Sequence, residues 1–211
     1  MAELKTLSIK QAQAPGRLTI FDYKFTFPLL SEVIEMVLAF NKQHAGKRNP
    51  DGRLAGILIE AKDSQMYRDL YGIEIGKDIL DLLKKYNIET IGKAEKVAPI
   101  YLHSFDLGTV KYWGNNTELP NNYLAFNGEQ LDLNDINAYA TGIGFEERVL
   151  WDYAANAPTD TFFQARKLGL LIHIWTFKDD VLFFNAPNNI VSVPLFRICT
   201  ASAIRPSSWM E

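Results

Sequence analysis

Continuous apolar runs that end in charge constrain this chain more than any other feature. Residues 54–60 read LAGILIE, β-branched at Ile57 and Ile59, and charge follows at Glu60, Lys62 and Asp63. A short uninterrupted run of this kind belongs to a strand buried on both faces, the habit of parallel sheets. The period then changes: over 76–86, Ile79, Leu80, Leu82 and Leu83 mark the inner side of a helix. The rhythm repeats. Residues 97–105 (VAPIYLHSF) predict a strand and 107–114 a weak helix. Short strands are predicted over 123–126 and 139–144, a helix over 162–168, and a last strand over 170–177 (LLIHIWTF). Ahead of these, Ser31 is expected to cap a helix over 32–43 whose apolar face is Val33, Ile34, Val37, Leu38 and Phe40. Residues 2–7 also read as helix, and 44–53 as a polar loop.

Strands alternating with helices mean βα units, right-handed crossovers and a parallel sheet. Two architectures satisfy that: an open doubly wound sheet and a closed barrel. No phosphate-binding glycine fingerprint follows the first strand, so a dinucleotide fold has no support. Polar residues also recur at the carboxyl ends of the strands: Glu60 and Lys62, Ser104 and Asp106, Thr176 and Lys178. A barrel gathers such ends around one mouth. The expected fold is therefore α/β, of the (β/α)8 TIM-barrel type. It is expected to be incomplete, because five strands are readable where a barrel has eight.

Composition narrows the function. The 211 residues are 47% hydrophobic and 22% charged, enough for one domain with a sizeable core and incompatible with wholesale disorder. Twenty-two Lys and Arg against 25 Asp and Glu give a net charge of -3, which offers nucleic acid or an anionic membrane no basic surface. The single cysteine, Cys199, excludes a disulfide framework and a cysteine-built zinc site. No apolar stretch is long enough to span a bilayer. The N-terminal MAELKTLSIKQAQ lacks the apolar core of a secretory signal, so the chain as written is expected to be cytoplasmic.

Three groups of residues carry candidate chemistry. Glu60 and Lys62 stand two apart on a strand and so project to one side. A carboxylate beside an ammonium suits a hard cation next to a phosphate, or else an ion pair that closes the strand. His173 and Trp175 form a second such pair, able to wall a site for an alcohol or sugar, or to pack in a core. His103, in YLHSFD, is either a base or a hydrogen-bonded strand-end residue.

Together these segments resemble glycerophosphodiester phosphodiesterases. AGILIEAKDSQMY followed by GKDILDLLKKY resembles the third barrel strand of that family and its helix, and FTFPLLSEVIEMV the helix before it. YLHSFD resembles the fourth strand, YATGIG the sixth and LLIHIWTFKDDVLFF the seventh. The resemblance divides the chain into a partial barrel over 1–189 and an unmatched C-terminal tail over 190–211. It implies hydrolysis of glycerophosphodiesters to glycerol phosphate and an alcohol, with a divalent cation, Mg²⁺ or Ca²⁺, at the mouth. Glu60 then matches a metal ligand, Lys62 a phosphate-binding residue with a catalytic role, and Trp175 a residue on the glycerol side. His103 is the candidate proton-transfer group and His173 a substrate contact.

The departures are specific. The family's first strand carries a His-Arg pair and its second a Glu-x-Asp, and neither pattern occurs before Glu60. The eighth-strand pattern is missing after Asn189. The expectation is a truncated or short relative, impaired as an enzyme and prone to self-association through open edges. The alternative is a catalytically dead barrel fragment serving as a phosphate-ligand or protein-binding module.

Overall fold

In the computed structural model, residues 3–11, 19–44 and 53–175 are described. A single turn of 3-10 helix over Leu4–Thr6 precedes α1 (Leu30–Gln43). The sheet begins at β1 (Ile57–Glu60), followed by α2 (Ser64–Tyr71), α3 (Ile75–Lys85) and α4 (Ile91–Val97). Next come β2 (Ile100–Ser104), α5 (Leu107–Asn116), β3 (Asn121–Ala125), α6 (Leu133–Asn137) and β4 (Gly142–Glu146). After α7 (Glu147–Leu150), the two-residue strands β5 (Trp151–Asp152) and β6 (Ala157–Pro158) form a small antiparallel hairpin. The described chain finishes with α8 (Asp160–Lys167) and β7 (Leu171–Trp175). Thr176, Lys178, the tail over 190–211 and Cys199 lie outside the described residues. No helix among the described residues is long and apolar enough to cross a membrane.

The main sheet has the order β1-β2-β3-β4-β7, and every pairing is parallel. Each strand lies beside the next strand of the main sheet in chain order. A doubly wound sheet reverses direction at a switch point, and this one does not. The sheet is also curled. Strands β2 and β7 are three inter-strand steps apart, roughly 14 Å in a flat sheet. Yet the rings of Tyr101 on β2 and His173 on β7 lie 6.4 Å apart, centroid to centroid. The five strands form a TIM-barrel-like half-barrel, as the readable strands predicted.

The core lies between the convex face of the sheet and the helices. Ile57, Ile59, Ile100 and Leu102 pack there with Ile34 of α1, Ile79 and Leu83 of α3 and Trp113 of α5. Ala125, Ile143 and Phe145 continue it against Val110, Ile136 and Phe162. Burying such side chains is worth about 1.5–3 kcal/mol each. Of the apolar face expected for the first helix, Ile34, Val37 and Leu38 meet the core, whereas Phe40 stays exposed.

Two helix boundaries differ from expectation. Ser31 lies inside α1, whose N-cap is Leu29. Glu32 takes the capping role instead, accepting the Leu29 backbone N–H at 2.7 Å, and Lys5 pairs with the same carboxylate. The helix expected over 2–7 is a single 3-10 turn at Leu4–Thr6, followed by a β-bridge between Ser8 and Thr26. A short helix without a packed face has little to hold it.

Candidate functional site

Alternation along each strand decides which side chains reach the concave face. In β1, Ile57 and Ile59 are buried while Leu58 and Glu60 are exposed. Register places Tyr101 beside Leu58 and His103 beside Glu60. Asn122 continues the row next to His103, and Gly142 next to Asn122. One step up, Gly144 lies beside Leu124 and His173, and Trp175 beside Glu146. The concave face thus carries Glu60, Tyr101, His103, Asn122, His173 and Trp175 together with Leu58 and Leu124, while the convex face is mainly aliphatic.

A cavity of about 890 Å³ opens at the carboxyl ends of these strands. Glu60, Lys62, His103, His173 and Trp175, the five residues singled out in the sequence, all line it. Glu60 and Lys62 make no ion pair with each other, nor with any other described residue. Phe105, Phe126 and Trp175 form an aromatic wall. Phe105 stacks on Phe126 at 4.6 Å, and Trp175 stands edge-on to both at 5.3 Å.

The two histidines sit in the drier part of the mouth. Burial pulls His103 below the usual imidazole range. Burial also pulls His173 down, with the nearby His103 adding to the effect. A neutral imidazole near pH 7 can accept a proton, as a general base must. Lys62 and Glu60, by contrast, reach solvent at the strand end.

The strand-end pattern gathered fewer polar groups than expected. Ser104 is wholly buried on the convex side of β2, where its hydroxyl donates to the Ala61 carbonyl at 2.7 Å. Asp106 reaches the rim, but its carboxylate is engaged in structure. It caps α5 by accepting from the Gly108 and Thr109 backbones, and it accepts from the Thr109 hydroxyl and from Arg68. Both residues were read by position in the chain, and parity sends Ser104 to the helices.

Sequence reasoning missed Asn122, Asp63 and Phe126. Asn122 is the second residue of β3, two residues from Pro120, where a turn is the ordinary reading. Asp63 lines the cavity with a left-handed backbone, φ 53°, before α2. Asp tolerates that conformation better than most residues.

The glycines of β4 shape the floor. A Cβ on Gly142 would stand 2.3 Å from Asn122 Oδ1 and 2.6 Å from the Leu171 carbonyl oxygen. A Cβ on Gly144 would stand 2.4 Å from Leu124 Cδ2. The GIG motif is a bare strip that neighbouring strands have filled.

A hard cation needs several oxygen ligands. Among the described residues, no three His, Cys, Asp or Glu side chains converge as a metal site would require. Glu60 alone does not fit a Mg²⁺ or Ca²⁺ centre.

The fold and mouth define an α/β protein with a TIM-barrel-like half-sheet. No protein-family model and no curated protein matches the chain. Among solved structures it is similar to a glycerophosphodiester phosphodiesterase from Parabacteroides distasonis, with a TM-score of 0.52 and 17% identity. The match covers 84% of this chain and 58% of that one, so this chain spans less than two thirds of its neighbour. At that identity the likeness is one of fold.

Proposed function

We propose that the mouth binds the phosphate of a glycerophosphodiester and hydrolyses it to glycerol phosphate and an alcohol. The convergence of Glu60, Lys62, His103, His173 and Trp175 on one cavity carries this reading. Lys62 neutralises the non-bridging phosphate oxygens. The Trp175 wall faces the carbon skeleton of glycerol or of the alcohol. His103 takes a proton from the attacking water as its oxygen bonds to phosphorus. The phosphorus–oxygen bond to the alcohol breaks, and the proton passes to the departing oxygen. A divalent cation at Glu60 belongs to the same proposal. Because the described residues do not complete its ligand set, no step is routed through it.

One observation favours a second reading. With no converging ligand set among the described residues, the same Lys62 and aromatic wall suit a phosphate-ligand module without turnover.

Phosphorus NMR of glycerophosphocholine with added Mg²⁺ or Ca²⁺, alongside calorimetry with glycerol 3-phosphate, tests both. Hydrolysis lost in Lys62→Met and His103→Gln supports the enzyme. Binding lost in Lys62→Met without any hydrolysis supports the module. Neither binding nor hydrolysis would sink both readings. Lys62 is exposed and without an ion-pair partner among the described residues, so Lys62→Met is expected to stay within about 0.5 kcal/mol of the parent stability.

A further inference from the structure

We infer that Asn122 is a positioning residue for His173, holding the imidazole from beneath in its neutral, proton-accepting form. The inference rests on reading the mouth as a phosphate-ester site.

Asn122 is wholly buried on β3. Its Nδ2 lies 3.3 Å from Nδ1 and 3.4 Å from Nε2 of His173, two strands away on the curled sheet. Its Oδ1 has no hydrogen-bond partner among the described residues. An orphaned buried carbonyl is uncommon in folded proteins and calls for a reason. That oxygen also occupies space available only because residue 142 is glycine, since a Cβ there would come within 2.3 Å of it. The fold gives up a side chain on β4 and leaves the Asn122 acceptor, like that of Asn121 beside it, unpaired among the described residues. In exchange the amide nitrogen is set against the imidazole.

The chemistry of that contact has a direction. An amide N–H only donates. A neutral imidazole keeps one ring nitrogen with a lone pair, whereas an imidazolium has N–H on both and accepts nothing. Set almost equally near both ring nitrogens, the positive end of the amide favours the neutral ring over the charged one. Other charged and titratable groups surround the ring. Tyr101 and His103 face it from β2, with Glu60 and Lys62 at the end of β1, Asp106 beyond β2 and Glu146 at the end of β4. Burial and His103 oppose a charged ring; by general electrostatics carboxylates favour one, and an amide donor set against the ring opposes it. The amide is the one among these that also fixes where the ring sits.

Histidine NMR titration of the whole chain tests the inference, with the three resonances assigned by His→Gln variants. In the parent protein His173 is expected to titrate below the ordinary value of about 6.5. Asn122→Ala removes the donor and admits water, and should raise the midpoint by about half a unit or more while His103 holds its own. Asn122→Asp should carry the midpoint above about 6.5. A parent midpoint at or above about 6.5, or one unmoved in Asn122→Ala, overturns the inference. A parent midpoint at or above about 6.5 overturns the inference even if Asn122→Ala fails to fold, and the near-isosteric Asn122→Asp then carries the comparison. The readout needs no turnover, so a protein that neither binds nor hydrolyses phosphate esters would fail the functional reading while leaving this one standing or falling by itself.

Discussion

Trp175 donates its indole N–H to the carbonyl oxygen of Gly144 at 3.1 Å. The bond ties the last described residue of β7 to the neighbouring strand and turns the ring across the mouth. A Cβ on Gly144 would meet the indole only at an ordinary 3.5 Å, so the bond rests on the backbone and the bare position serves Leu124 instead. The aromatic wall is thus held by a backbone bond as well as by ring contacts.

The two β4 glycines should respond differently to alanine. At Gly142 the new Cβ meets a backbone carbonyl oxygen at 2.6 Å, which cannot turn aside. At Gly144 it meets the tip of Leu124, which can. Gly142→Ala is expected to cost about 1–3 kcal/mol and Gly144→Ala clearly less. Urea denaturation of both variants checks the order, and equal losses would contradict it.

Asn41 is a buried clasp between α1, the approach to β1 and the end of α4. Its amide donates to the Ala55 and Val97 carbonyls at 2.9 and 2.7 Å and accepts from the Ala55 N–H at 2.9 Å. Asn41→Leu keeps the volume but strands three backbone groups. A loss of about 2–4 kcal/mol is expected, since each unpaired buried group costs about 1–3 kcal/mol and part of that is relieved by water. A thermal midpoint unchanged in the variant would show that these bonds carry nothing.

Asp106 should make stability depend on acid. Burial pushes its carboxyl up, but hydrogen bonds from Thr109 and Gly108 together with Arg68 outweigh this and leave it below the ordinary 3.8. A depressed carboxyl stabilises fully above the unfolded value and loses that contribution as pH falls through the folded one. The stability gap between the parent and Asp106→Asn is therefore expected to be constant near neutrality and to close below about pH 4. Denaturation curves from pH 7 to pH 2 test this, and a gap that widens in acid would refute the sign.

Self-association is expected from the exposed aromatic segment before α1. Phe21, Tyr23 and Phe25 are each more than half exposed, as are Met36 and Phe40 on α1. Contiguous apolar surface of this kind promotes contact between copies. Sedimentation should show a mass that rises with concentration, and Phe21→Ser with Phe25→Ser should lower it. A single monomeric species across the range would remove the expectation.

Much of the sheet was legible because its strands are uninterrupted apolar runs, as at 54–60, where nothing competes with the period. The strands over 54–60 and 97–105 were drawn too long at their ends, because flanking apolar residues such as Leu54 and Val97 look the same in a sequence whether they extend a strand or lie beside it. The helix α2 was invisible: Met66, Tyr67, Leu70 and Tyr71 remain exposed, so no buried face wrote a period into the sequence. At the site, residues spaced two apart were legible as pairs. Asn122 was not, because its role comes from β7 and β4 and no local pattern records a partner so distant in the chain.

The sheet order has a consequence for how the molecule comes to be. Each strand of the main sheet docks on the strand made just before it, so a nascent chain never waits for a distant strand to complete an existing pair. Folding can advance by accretion, one βα unit templating the next, with loop closure costs spread over successive steps rather than met at once. Among the described strands β7 arrives last, and it brings His173 and Trp175 to the cavity that His103 already lines.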